Sequence, residues 1–278
     1  MNPKDIIQQQ RELWNMFSPG WKKWDRFVMA WLQPIGEKLM EVVNLNSDDE
    51  ALDIATGTGE PGLTAATKIK RVIGTDVSEG MIRIAQENAK TRGITNYKGQ
   101  VTSASSLPFQ ESTFSVVLCR FGVMYFANPE EDLRNLVRVL KSGGRIAFSA
   151  WAESEKNPWA TVSGKTVQEL LNLPAPSSNM PGIFRYAKYG SLSSLFQQSG
   201  LKNIKEIEVK GELVFDSPEH YWEYTMDVIA PVAIALKKLD DSTREQIKQA
   251  VLKKAKDFEN SGHIIFPWSA WVAFGENK

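Results

Sequence analysis

Asp53, Gly57, Gly59, Glu60 and Asp76 are the residues of this chain whose types and spacing could do chemistry together. The segment Ala51-Leu-Asp-Ile-Ala-Thr-Gly-Thr-Gly-Glu-Pro-Gly62 reads as a short apolar strand over 51–55, then a glycine turn, then a helix opening near Pro61. Glycines at 57 and 59 let a ligand approach the backbone, because no Cβ stands in the way. Proline is tolerated at a first helical position, where its missing N–H has no intrahelical partner. Asp76 follows Gly57 by 19 residues and closes a second apolar run, Arg71 to Asp76. Glycine turn and acid together predict a nucleotide-like ligand at the C-terminal edge of a sheet, with the acid on ribose hydroxyls.

Two cofactors meet that description. Gly57-Thr58-Gly59-Glu60-Pro61-Gly62 matches the dinucleotide pattern G-x-G-x-x-G. A dinucleotide sets an anionic pyrophosphate against the helix start, whereas Glu60 stands there and Asp53 stands just before the turn. S-adenosylmethionine carries an ammonium and a sulfonium, which two carboxylates suit. The charge pattern therefore favours S-adenosylmethionine over NAD. Glu60 also reads simply as an acid at a helix N-terminus.

The elements that must position these residues alternate along the chain. Strands are predicted over 51–55, 71–76, 97–101, 114–119 and 144–150, and helices over 61–69, 79–92 and 130–140. That alternation implies a parallel sheet flanked by helices. Residues 3–44 predict separate helices, broken at Ser18-Pro-Gly20 and again before Pro34, with Ile6, Ile7, Leu13, Trp14 and Phe17 at helical spacing. Beyond Trp151 come a helix over 158–171, a loop over 174–181, a helix over 189–198 and an alternating strand over 204–215. A mostly helical stretch over 218–259, kinked or broken at Pro231, precedes a last strand over 264–274.

Composition excludes several classes. Lys and Arg number 33 and Asp and Glu 33, a zero formal charge that argues against nucleic acid as partner. The single cysteine, Cys119, rules out a disulfide framework and reads as core packing, and no Cys/His spacing suggests a metal. The start is polar, no run reaches membrane-spanning length, and a cytoplasmic location is the default expectation.

Four segments resemble the motifs of class I S-adenosylmethionine-dependent methyltransferases. Leu52-Asp-Ile-Ala-Thr-Gly-Thr-Gly59 is similar to their first motif and Gly74-Thr-Asp-Val-Ser-Glu-Gly-Met81 to their second. Leu107-Pro-Phe-Gln-Glu-Ser-Thr-Phe114 resembles the lead into their fourth strand, and Arg138-Val-Leu-Lys-Ser-Gly-Gly144 the turn before their fifth. Order and spacing agree over roughly residues 45–151, and the wording is closest to the ubiquinone/menaquinone C-methyltransferase branch. The resemblance implies a Rossmann-like α/β sheet, mostly parallel with an antiparallel last strand. It divides the chain into N-terminal helices over 1–44, a core over 45–215 and 261–278, and a helical insertion over 216–260. The N-terminal helices and the insertion are expected to form a lid.

The same resemblance assigns roles. Asp53, Ala55, Thr56, Gly57 and Gly59 belong to the cofactor loop, Asp76 to the ribose, and Val77 and Met81 to the adenine faces. Ser103 stands where the family has an acid. Its hydroxyl can still meet the adenine amine, and the Ala104 N–H a ring nitrogen. Arg120 would bind the methionyl amine through its carbonyl, and Phe121, Met124 and Tyr125, with Trp21 and Trp24, would line the acceptor site. The catalytic group stays open: Tyr125 and His220 are the candidates, and a general base is not obligatory. The expected activity is in-line methyl transfer to a small, fairly apolar acceptor, with quinone-type C-methylation, a non-catalytic S-adenosylmethionine-binding protein and an NAD-dependent oxidoreductase as the alternatives.

Overall fold

The computed structural model describes residues 2–174 and 180–278. The loop expected over 174–181 falls largely outside them. A central sheet runs in the order β3-β2-β1-β4-β5-β8-β6. Its strands are β1 (Glu50–Ile54), β2 (Arg71–Asp76), β3 (Tyr97–Val101), β4 (Phe114–Arg120), β5 (Leu140–Trp151), β6 (Lys202–Phe215) and β8 (His263–Glu276). The short β7 (Glu259–Asn260) pairs on the side with β8. β1 to β5 pair in parallel, and β8 runs antiparallel to both β5 and β6. This is the expected Rossmann-like sheet with one reversed strand.

The central strands form because their runs are apolar on both faces: Leu52, Val116, Val117, Leu118, Ile146 and Phe148 are all fully buried. The flanking helices are α2 (Gly62–Ala66), α3 (Glu79–Thr91), α4 (Pro129–Val139), α5 (Pro158–Leu170) and α6 (Ser191–Gln198). α2 is shorter than expected and starts after Pro61, which caps it and is not its first residue. Ser78 caps α3 by accepting the Met81 N–H at 3.1 Å, and Gly93 leaves that helix with φ 66°.

The N-terminal region corrects the sequence reading. One helix, α1 (Pro3–Val42), runs unbroken through Pro19 and Pro34. Pro19 has no N–H to give the Asn15 carbonyl four residues back, and the Ser18 hydroxyl donates to that carbonyl at 3.0 Å. Packing supplies the rest. Val28, Leu32, Ile35 and Leu39 recur on one buried stripe, and α1 lies against β4, β5, β6 and β8. At 40 residues it is about 60 Å long. Near its start the Asn15 carboxamide oxygen accepts from the Ser78 hydroxyl at 2.7 Å and the Gly80 N–H at 3.0 Å.

Between β6 and β8 the chain inserts α7 (Pro218–Val228), α8 (Ala230–Lys237) and α9 (Asp241–Ala255). The break falls at Ile229, with Pro231 in the first turn of α8. A second break before α9, capped by Asp240, was not expected. α7 docks on α1: the Trp24 indole N–H donates to the Asp227 carboxylate at 2.8 Å, with Lys23 at 2.7 Å from it. Gly20 permits this approach, since a Cβ there would sit 2.1 Å from the Asp227 carbonyl oxygen.

Candidate functional site

Parallel strands of this order place loops at their C-terminal ends. There the structure holds a cavity of about 660 Å³, within the range of small-ligand sites. Its floor is the loop after β1. Ala55 and Gly57 take positive φ, 56° and 55°, and nothing lies within 4 Å of where a Gly57 Cβ would be. The loop is thus open above Gly57. Gly59, at φ 118°, serves packing instead: a Cβ there would lie 2.5 Å from Leu63.

Asp76 ends β2 at the cavity wall. One of its oxygens accepts the Gly57 N–H at 3.1 Å and the other the Ser78 N–H at 2.9 Å. Burial pushes its carboxyl up to about 6 against these bonds. A carboxylate has about four acceptor positions, so two remain for a ligand. Val77 and Met81 line the same wall, and Ser103 and Ala104 face the cavity from the turn after β3.

Asp53 is placed differently from the sequence reading. It is fully buried behind the loop and does not line the cavity. Its carboxylate accepts the Thr56 hydroxyl at 2.5 Å and the Gly62 N–H at 3.0 Å, and its second oxygen has no partner among the described residues. Burial raises its carboxyl to about 7. Glu60 lines the cavity but is also engaged: it accepts the Thr64 N–H at 3.1 Å in the first turn of α2 and pairs with Arg92. The two acids expected to frame the ligand therefore act mainly on the protein. Asp53 braces the loop, and Glu60 behaves as the helix-end acid.

The far half of the cavity is aromatic. Phe121, directly after β4, holds φ 64° and stacks on Trp151 at 4.0 Å and 11°. Its N–H donates to the Ser149 hydroxyl oxygen at 3.1 Å. Tyr125 meets the edge of Trp14 at 5.2 Å, and Trp14 meets Trp21 at 6.1 Å. Met124 lines the cavity beside them. Burial pushes the Tyr125 phenol up to about 12, so at neutral pH it offers a hydroxyl and not a phenolate.

Two candidates lie elsewhere. Trp24 points to α7, where it binds Asp227 and stacks on the His220 ring at 5.2 Å. His220 Nδ1 accepts the Asp216 N–H at 3.2 Å, outside the cavity. Both stand in the α1–α7 interface, because the aromatic stripe of α1 divides between cavity and insertion. Trp268 is core, and Trp271 donates to the Ala187 carbonyl at 2.6 Å.

Sequence reasoning missed Trp31, Trp159 and Tyr224, which complete the aromatic wall; Ile229 to Val232, at the start of α8 in the expected insertion, line the cavity as well. It also missed Asp132, in the first turns of α4. That side chain is 2% exposed, one of its oxygens is unpartnered among the described residues, and burial raises its carboxyl to about 6. Only the tryptophan count hinted at the wall. Among the described residues no group of His, Cys, Asp and Glu could hold a metal ion, and no helix is long and apolar enough to cross a membrane.

The family model described as "Methyltransferase domain" matches residues 51–144. An uncharacterised methyltransferase of Bacillus subtilis, YcgJ, is 29% identical over 108 residues, covering 39% of this chain and 43% of its own length. A demethylmenaquinone methyltransferase of Bacteroides fragilis is 27% identical over 140 residues, covering 49% and 53%. The match thus spans about half the length of these curated relatives. An uncharacterised protein of Mycobacterium tuberculosis matches farther, 26% identical over 269 residues and 93% of each chain. The crystal structure of YcgJ superposes with a TM-score of 0.58 at 20% identity, over 87% of this chain and 97% of that one. At that identity the superposition speaks for the fold.

Proposed function

We propose that the chain is a class I S-adenosylmethionine-dependent methyltransferase, a reading that the methyltransferase-domain match over 51–144 supports, and that it transfers a methyl group to a small, fairly apolar acceptor. One observation carries the reading: a single cavity joins the β1 loop and Asp76 to an aromatic chamber around Phe121, Tyr125 and Trp151. Both ends of a transfer reaction fit in one space.

In this reading the free acceptor positions of Asp76 take the ribose hydroxyls, Val77 and Met81 cover the adenine, and Ser103 and Ala104 meet its edge. The backbone of Ala55, Thr56, Gly57 and Arg120 faces the methionyl end. Asp53 and Gly59 hold the loop in shape without touching the ligand. S-adenosylmethionine supplies an activated methyl group on sulfur. The chain's own contribution is alignment, worth about 7–11 kcal/mol when the reacting atoms are held in line, together with the exclusion of water by aromatic walls. Tyr125, protonated at neutral pH, orients the acceptor by a hydrogen bond. A general base is not obligatory for an acceptor that is already a free nucleophile, whereas transfer to a hydroxyl or an enolisable carbon releases a proton, and a base that takes it would help by about 10²–10⁴-fold. We assign α1 and the insertion α7–α9 the role of lid, with the sheet over 45–215 and 261–278 as the core.

The demethylmenaquinone methyltransferases among the relatives favour a flat aromatic or quinone-type acceptor as the second reading. Stacked side chains such as Phe121 and Trp151 suit such a ring. Calorimetric titration tests the cofactor: the wild type takes up S-adenosylhomocysteine and ignores NAD, and Asp76→Ala loses the uptake. Unchanged affinity in Asp76→Ala refutes the assignment. A screen of apolar phenols, quinols and amines with labelled methyl donor then tests the acceptor class.

A further inference from the structure

Arg120 is the last residue of β4, and its side chain lines the cavity next to the β1 loop. The sequence reading gave its carbonyl a role and its side chain none. The guanidinium, however, carries five donors, and among the described residues it makes one hydrogen bond, to the Met29 sulfur at 3.0 Å. No carboxylate of the described residues forms an ion pair with it. The three acids that act on it from farther away are Glu60, Asp53 and Asp25. Each bonds other groups, although Asp53 and Asp25 each keep one buried oxygen without a partner among the described residues. Glu60 pairs with Arg92, Asp53 holds Thr56 and Gly62, and Asp25 takes the Asn88 carboxamide at 3.3 Å. Arg120 is half-buried, and burial lowers the pKa of its guanidinium. A half-buried cation without an ion-pair partner has donors to spare, and they suit a planar anion that can bind both arms.

Resting on the methyltransferase reading, we infer that the Arg120 guanidinium clamps the α-carboxylate of the methionyl end of S-adenosylmethionine. Position selects this carboxylate over one on the acceptor. Arg120 stands where β4 runs beside β1, Asp53 being paired with Leu118, and the acids around it are those of the loop and of α1. The aromatic chamber begins one residue later, at Phe121. The bond to the Met29 sulfur ties the guanidinium to α1 at the cavity wall.

Decarboxylated S-adenosylmethionine isolates the contact, because it keeps nucleoside, sulfonium and amine and lacks only the carboxylate. The wild type is expected to bind S-adenosylmethionine about 10- to 100-fold more tightly than the decarboxylated compound, as charged hydrogen bonds warrant. In Arg120→Met the affinity for S-adenosylmethionine falls by about that factor, and affinity for the decarboxylated compound stays level or rises; Arg120→Lys recovers part of the loss. Equal wild-type affinity for the two compounds overturns the inference while leaving the cofactor reading intact. An Arg120→Met chain that binds S-adenosylmethionine like the wild type also overturns it, and assigns the guanidinium to an acidic acceptor instead. Equal losses for both compounds in that variant make Arg120 a purely structural residue. If Arg120→Met does not fold, the wild-type comparison and Arg120→Lys still decide. A wild type that takes up neither compound removes the methyltransferase reading and the clamp together.

Discussion

Stability should fall as pH rises from 5 to 8, and Asp53→Asn should remove much of that fall. Asp53 is fully buried, its carboxyl is pushed up to about 7 by burial, and its bonds to Thr56 and Gly62 do not offset the loss of water. In the unfolded chain the same carboxyl titrates near 3.9. The folded protein therefore holds this proton more tightly, and folding takes up protons between about pH 4 and pH 7. A raised acid contributes stability below its folded value and loses that contribution above it. About two units of the gap lie above pH 5, and at roughly 1.4 kcal/mol per unit they amount to about 3 kcal/mol. Asp76, raised to about 6, adds about 1 kcal/mol of the same sign. Asparagine keeps an oxygen for Thr56 and Gly62 and cannot titrate. Any fixed cost of its amide cancels in a comparison across pH. Urea unfolding of both chains at pH 5, 6, 7 and 8 measures the effect. The wild type should lose about 3 kcal/mol more than Asp53→Asn over that range. Parallel curves would show that Asp53 is ionised throughout, and the placement of this acid as a neutral brace would be wrong.

Other outcomes follow from single contacts. Gly20→Ala should destabilise by about 1–3 kcal/mol in urea unfolding, although alanine in a helix interior ordinarily stabilises, because its Cβ meets the Asp227 carbonyl at 2.1 Å; a rise in stability would contradict the close docking of α7. Ser18→Ala should cost about 0.5–1.5 kcal/mol through the Asn15 carbonyl it leaves unbonded, read in the same assay. Once an acceptor is found, His220→Ala should retain at least about a tenth of the turnover, since general acid–base groups account for about 10²–10⁴-fold and His220 stands outside the cavity. Tyr125→Phe should leave the pH profile of kcat/KM unchanged below about pH 9, because the phenol is held up to about 12; a limb that disappears with the hydroxyl would make Tyr125 a base.

The sheet was legible because its strands are apolar runs separated by glycine turns. Strand β2 was read residue for residue, from Arg71 to Asp76. The turn after β1 was legible too, since glycine at 57 and an acid at 76 mark its place, and the two are hydrogen-bonded at 3.1 Å. Helix α1 was not. Proline and glycine at 19 and 20 are local breakers, and what overrides them is a Ser18 hydroxyl and a stripe packed on strands more than 70 residues away. The direction of Asp53 was equally hidden, because an acid in a strand end looks the same whether it faces ligand or helix. The aromatic chamber comes from α1, the end of β5, α5 and α7–α8, and no local pattern announces that these meet.

The unbroken course of α1 ties the two halves of the cavity to one rod. Near one end it grips the turn that would cover the adenine, through Asn15 on Ser78 and Gly80. Farther along it anchors the roof of the aromatic chamber, through Trp24 on Asp227. A nucleoside that settles the first turn also settles the rod attached to it, so the acceptor then meets a surface whose ordering has already been done. Each ligand should strengthen the other by the same factor.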